Sequence, residues 1–331
     1  MNDRQSGRID MRATLIQPFH HGAGSAGNTA LLRTKPVIDP STCERHDVPY
    51  LSGNSVRHML RAGAAWHAIR TAGLDDGTLS KEAVHLLLSG GALTKSGAAV
   101  DLAQARKLGE LVPGLALLGF SAGNTMQAGK LLVSDLDLVC RENAWRAPPD
   151  VRDDPRLTSP FGTWIEDVMG TRHDPMGAPA VRALMPADTQ TELDFAASAK
   201  LAKSRASERV ERGDSLQMIY EHQVVVTGAG FYGDVHYREL TPMERAALVA
   251  ALSWSCAGEQ DASYLFHFGA RSSHAWGRAA VRFSGVRIGV PLETRESVPV
   301  APNQRPPEMI EYEDHLRTRR DEIRAALLAA A

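Results

Sequence analysis

The spacing of apolar residues changes several times along the chain, and each change marks an element. Met11–Pro18 reads as a first strand, closed by the glycine-rich run H-H-G-A-G-S-A-G-N at 20–28 and followed by K-P-V-I-D-P at 35–40. The stretch P-Y-L-S-G-N-S-V-R-H-M-L-R (49–61) breaks an apolar run with a turn and resumes at helical spacing. Val56, Met59, Leu60, Ala64 and His67 share one helical face, with Gly63 as its weak point. Residues 71–110 read as a broken helix punctuated by Gly90 and Gly91. Leu115–Phe120 and Leu131–Val139 read as strands. In the second, Leu136 and Leu138 alternate with Asp135 and Asp137.

Periodicity then fades. Residues 141–219 carry prolines, mixed charges and a candidate charged helix at Lys200–Arg212, which reads as a long insertion. Regularity returns at Met218–Thr227 and Phe231–Glu239, an expected hairpin around G-A-G. Thr241-Pro242-Met243-Glu244 is a capping box with proline at the first helical position, opening a helix that runs to about Trp254. A strand near Ala262–Phe268, the loop G-A-R-S-S-H-A-W-G-R (269–278), a strand at Ala279–Phe283, an extended segment at 291–307 and a helix over Glu311–Ala330 complete the order. Strands and helices mix without regular βα alternation, which predicts an α+β fold, with a ferredoxin-like split βαβ core as the simplest match.

Composition narrows this picture only modestly. The 331 residues are 43% apolar, enough for a sizeable core, and the formal charge of −2 gives no global signature for nucleic acid. Cys43, Cys140 and Cys256 are too dispersed for a disulfide framework or a zinc pattern. No signal peptide or membrane-length apolar run is visible, so a soluble cytoplasmic protein is expected.

Three patterns invite chemical readings. Gly119-Phe120-Ser121-Ala122-Gly123 is a literal G-x-S-x-G, but a nucleophile elbow needs a helix directly after the serine, and only Asn124–Lys130 separates the motif from the next strand. A glycine turn between strands is expected instead of a serine hydrolase built on Ser121. Twelve histidines show no metal-ligand spacing, so no metal or cofactor is expected. The two basic glycine segments carry more. The turn at 52–55 exposes backbone N–H groups at a helix start, with Arg57 and Arg61 one turn apart to bracket a phosphate. The later loop supplies Arg271, Ser272, Ser273 and Arg278. Either alone also reads as a cap or tight turn with solvated arginines; together they suit an extended phosphate backbone.

These segments, in this order, resemble the RAMP superfamily of CRISPR–Cas proteins, in particular the Cas-seven-type backbone subunits. The resemblance rests on H-H-G-A-G-S-A-G, K-P-V-I-D-P, P-Y-L-S-G-N-S-V-R-H-M-L-R with His58 at a family glycine, L-L-G-F-S-A-G with L-L-V-S-D-L-D-L, and F-G-A-R-S-S-H-A-W-G-R with His274 and Trp276 in place of smaller residues. The G-N-S form of the helix turn looks most like the backbone subunit of type IV systems.

The resemblance implies an RRM-like palm over 1–140 and 218–290, with a helical finger inserted at 71–110. It further implies a thumb-like insertion at 141–217, with Phe161, Trp164 and Met176 as wedges or local core, and a C-terminal extension and helix at 291–331. It implies a subunit that polymerises along a CRISPR guide RNA beside other copies and other effector subunits, with target nucleic acid recognised through the guide. Implied RNA contacts are Arg33, Lys35, Ser52, Asn54, Ser55, Arg57, Arg61, Arg271, Ser272, Ser273 and Arg278. Family members that cut target RNA carry an aspartate two residues before the proline of the P-V-I segment. Here that residue is Thr34, which supplies no carboxylate for metal or proton transfer, so binding without cleavage is expected. A RAMP-type ribonuclease using His20 or His21 as acid/base is the alternative.

Overall fold

The structure is a computed structural model that describes residues 4–92, 101–172, 218–257, 265–270, 276–284, 287–288, 290–291 and 307–330. The chain divides into two compact units, the larger built from 1–22, 33–165 and 224–331, the smaller from 23–32 and 166–223.

The larger unit is built on β1 (Gln5–Leu15), which lies between β12 (Gly230–Leu240) and β14 (Arg278–Ser284), antiparallel to both. On the far side of β12 lie β8 (Leu131–Val133) and β9 (Leu136–Leu138), again antiparallel. Helix α1 (Gly53–Ala72) follows β1 in sequence, and α5 (Pro242–Ala257) joins β12 to β14. Taking β1, α1, β8–β9, β12, α5 and β14 as one βαββαβ unit, the spatial strand order is fourth, first, third, second. This is the split βαβ arrangement of the ferredoxin-like fold, and the α+β expectation holds. The sheet extends outward through β5 (Arg45–Leu51) and β4 (Thr34–Ile38) at one end and β13 (Leu265–His267) at the other.

Strand alternation fixes what each sheet face meets. Ile9, Met11, Ala13 and Leu15 of β1 are buried, as are Val235 and Tyr237 of β12 and Ala279 and Val281 of β14. The intervening Arg8, Asp10, Arg12 and Thr14 face the other way. There Tyr232, directly opposite Arg12, joins Val139, Ala147, Val151 and Leu157 in a small second core. Arg12 pairs with Asp150, and the Arg156 guanidinium donates to Thr14 Oγ1 (3.3 Å) and the Gly228 carbonyl (3.1 Å). Residues 139–158 thus cover the sheet face on which RRM domains stack bases.

The helical layer contains α2 (Lys81–Ser89), α3 (Leu102–Leu111), α4 (Pro113–Leu118), α6 (Pro307–Thr318) and α7 (Arg320–Ala330). Arg245 of α5 is fully buried and donates to Glu308 of α6 (2.8 Å). Tyr312 of α6 stacks on His67 of α1, with centroids 5.6 Å apart.

Four elements differ from expectation. Leu115–Leu118 is the end of buried helix α4, with Pro113 in its first turn, because an apolar run buried on all sides carries no period to separate helix from strand. Leu131–Val139 is two strands split at Ser134-Asp135. The C-terminal helix is two, broken at Arg319. β11 (Met218–Val225) does not pair with β12; it pairs in parallel with β3 (Thr29–Leu32), while the intervening turn bonds to Leu15.

In the smaller unit β10 (Ile165–Arg172), β11, β3 and β2 (Gly22–Ala26) form a four-stranded sheet in that order. Thr29 Oγ1 donates to Glu221 (2.7 Å) and Gln223 accepts from the Leu32 N–H (3.3 Å). Lys200–Arg212 and Met176 lie outside the described residues. Phe161 and Trp164 fall on a short 3-10 turn of the larger unit, with the Phe161 ring 6.1 Å from His46.

Candidate nucleic-acid interface

A helix start leaves backbone N–H groups without intrahelical partners, and the start of α1 stands at the centre of the site. Ser52 is the N-cap, its hydroxyl accepting from the Ser55 N–H (3.3 Å) and lying 2.9 Å from Ser55 Oγ. The Gly53 N–H donates to Asp135 Oδ1 (2.9 Å). Residue 53 has to be glycine, since a Cβ there would sit 2.4 Å from the Val133 carbonyl oxygen. That close approach brings the β8–β9 break against the helix.

Asp135 and Asp137 flank Leu136 and project to one side of the strand. Lys35 bridges both carboxylates at 3.0 and 2.6 Å, with its ammonium 4.9 Å from the Tyr50 ring centroid. Arg146 pairs with Asp137 from the other side (2.9 Å). The cation expected of Lys35 is therefore engaged within the fold.

Arg57 and Arg61 are held by main-chain groups of the fold. Both turn away from the helix start. Arg57 donates to the carbonyls of Leu131 (2.7 Å) and Leu118, and Arg61 donates to the same Leu118 oxygen (2.9 Å). Burial lowers the basicity of Arg57, and burial together with the Arg57 charge brings Arg61 down to about 10. These side chains tie α1 to the ends of α4 and β8.

A cleft of about 440 Å³ opens beside the helix start. Asn54, Ser55, His58 and Met59 of α1 line one side, His21 and Gly22 another, and Gly269 and Ala270 a third. Gly269 packs closely here: its φ of +72° disfavours a side chain, a Cβ would lie 2.3 Å from the His20 carbonyl oxygen, and the Ala270 N–H donates to that same carbonyl (2.9 Å). The His21 ring stacks beside Phe19 and meets Tyr50 edge-on. Burial, then Arg33, then His20 hold its pKa below the ordinary value, against a smaller opposing pull from Asp135. Arg33 is exposed next to this loop, with Nε and Nη2 each 3.3 Å from the Gly22 carbonyl.

The structure thus joins three of the glycine-bearing segments picked from sequence, through Asn54, Ser55 and the first residues of the late loop. Arg271, Ser272 and Ser273 lie outside the described residues. Arg278 begins β14, where its carbonyl accepts from the Ile16 N–H (2.8 Å) and the Gln17 N–H (3.2 Å). Sequence reasoning missed Asp135 as the helix-start acceptor and His58 and Met59 as cleft walls. The alternation V-S-D-L-D-L at 133–138 already placed both aspartates on one face, and that was the available signal. Ser121 lies in the short hairpin β6 (Phe120–Ala122) and β7 (Thr125–Gln127), its N–H bonded to the Gly90 carbonyl (2.7 Å), without the strand–turn–helix of a nucleophile elbow. Among the described residues no helix is long and apolar enough to cross a membrane, and no group of three or more His, Cys, Asp or Glu side chains is placed to hold a metal ion.

No protein-family model matches the chain, and no curated protein matches it. Among solved structures it is similar to a chain described as "Type IV-B CRISPR Complex", with a TM-score of 0.55 and 17% identity, over 92% of this chain and 96% of the other. At that identity the likeness is one of fold.

Proposed function

We propose that this protein is a non-catalytic subunit of a CRISPR effector complex, binding the guide RNA and repeating in copies along it. The observation that carries this reading is convergence. Segments from residues 21–22, 54–59 and 269–270, far apart in sequence, meet around one cleft on a ferredoxin-like palm. The fold, shared nearly end to end with a chain of a type IV-B complex, supports the same reading.

In this reading the larger unit supplies the palm, residues 71–110 a helical finger, 141–217 a thumb-like insertion and 291–331 a C-terminal extension. Exposed Arg33, the loop residues Arg271, Ser272 and Ser273, and Arg278 at the start of β14 contact the ribose-phosphate track, leaving guide bases to pair with the target. Head-to-tail contacts between copies extend an open filament along the RNA in the cytoplasm, next to other effector subunits. Thr34 stands exposed on β4 and offers a hydroxyl where cleaving relatives carry a carboxylate, which supports binding without cleavage.

The test is purification of the tagged protein from cells that also express a CRISPR array and the neighbouring genes. We expect a high-mass particle absorbing strongly at 260 nm, with array-derived RNA of uniform length. A nucleic-acid-free monomer from the same cells overturns the proposal. Cleavage of complementary RNA by the purified particle, lost in His21→Ala, would replace it with the ribonuclease alternative.

A further inference from the structure

We infer that the cleft at the start of α1 receives an unstacked nucleobase with its ribose, while the phosphates run outside it. This rests on the RNA-binding reading above and concerns which part of the nucleotide enters.

The interior is unsuited to a phosphate. The Gly53 N–H, which a helix start would present to an anion, is already donated to the Asp135 carboxylate, and Lys35 is engaged by that same carboxylate, so neither is left for a second anion. Arg57 and Arg61 are turned to carbonyls elsewhere. Among the described residues no lysine or arginine lines the cleft, and its wall is mostly carbon. His21 faces it from a setting that favours the neutral ring. An anion desolvated against such a wall without a counter-charge is strongly disfavoured.

The same wall suits a flat ring with a few polar edges. Met59 and Ala270 offer apolar contact, while the Asn54 amide, the Ser55 hydroxyl and the His58 imidazole provide hydrogen-bonding groups for a base edge or a 2′-hydroxyl. The volume of about 440 Å³ falls within the span of small-molecule sites, roughly 300–1,000 Å³. Arg33 outside the cleft then supplies charge where the phosphate passes. With the sheet face covered by residues 139–158, this cleft takes over the base-holding role that an open RRM face performs.

The experiment compares binding of the full chain to a single-stranded RNA of about ten nucleotides and to an equally long ribose-phosphate chain without bases, by fluorescence anisotropy. The two probes carry the same charge. The intact RNA should bind at least ~10-fold tighter, and His58→Ala and Met59→Ala should each weaken it ~3- to 10-fold with an unchanged salt slope and no effect on the abasic chain. His58 is exposed, so its variant reports on the cleft even if Met59→Ala folds poorly. Equal affinity for the two probes overturns this inference and leaves the RNA-binding reading standing. Failure to bind either probe overturns both.

Discussion

The two helices that complete the ferredoxin-like unit begin in opposite ways. Helix α5 closes its own start: the Thr241 N–H donates to Glu244 Oε2 (2.8 Å) and the Glu244 N–H donates to Thr241 Oγ1 (3.3 Å), with Lys130 clamped on the same carboxylate at 2.6 and 2.7 Å. Helix α1 closes its start from a distance. Ser52 caps locally, but the Gly53 N–H reaches Asp135, 82 positions along the chain. The first start is finished within four residues, and the second is finished only by the fold. A glycine-serine helix start with arginines one turn on therefore does not by itself define an anion site, because a carboxylate from another strand can reach it first.

The contrast is broken most directly at the first helical residue. In Gly53→Ala the new methyl meets main-chain oxygens of Val133 and Ser134 at 2.4 and 2.8 Å, atoms that cannot step aside. We expect a loss of about 2–3 kcal/mol in urea unfolding. At the matching position of α5, Pro242→Ala should cost only about 0.4–1 kcal/mol, chiefly through the unfolded chain. Equal losses would show that α1 does not depend on its close approach to β8–β9.

Arg57→Ala combined with Arg61→Ala leaves the Leu118 and Leu131 carbonyls without their guanidinium donors. Buried acceptors left this way should lower stability by about 2–3 kcal/mol. RNA retained per folded molecule should not change. A double variant of normal stability that has lost RNA would restore these arginines to the anion site and refute their inward role.

The same divide between local and distant satisfaction sets how far the sequence could be read. The capping box at 241–244 and the helix face through Val56, Leu60 and Ala64 depend on neighbours within a few residues, and both appear as expected, while the first strand expected at Met11–Pro18 lies at Gln5–Leu15. The destinations of Arg57, Arg61 and Lys35 depend on which strand arrives opposite, so an arginine aimed at a phosphate and one aimed at a carbonyl look identical in one dimension. Leu115–Leu118 shows the same limit for secondary structure, since burial on every side erases the period. The cleft was legible as a set of glycine-bearing segments, but not as a mostly apolar wall.

Cap substitutions sharpen the comparison on a smaller scale. Thr241→Ala removes the acceptor of the Glu244 N–H and should cost about 1 kcal/mol. Ser52→Ala should cost less than Thr241→Ala, because the Asp135 bond to Gly53 stays in place. If Ser52→Ala is the costlier of the two by thermal denaturation, local capping dominates at both helices.

The smallest stability effect belongs to Arg33, and its value lies in separating charge from architecture. Its guanidinium is exposed and, among the described residues, donates to the Gly22 carbonyl at 3.3 Å, so Arg33→Ala should change stability by no more than about 0.5 kcal/mol. As a phosphate contact it should still weaken RNA binding, about equally for every sequence, and reduce the salt slope by about 1. Arg57 and Arg61 are expected to do the reverse, with large stability losses and an unaltered slope. Measuring slope and stability together on these variants therefore distinguishes an arginine that holds RNA from one that holds the helix. An unchanged slope in Arg33→Ala would remove the one exposed cation beside the cleft, among the described residues picked from sequence, from the RNA path.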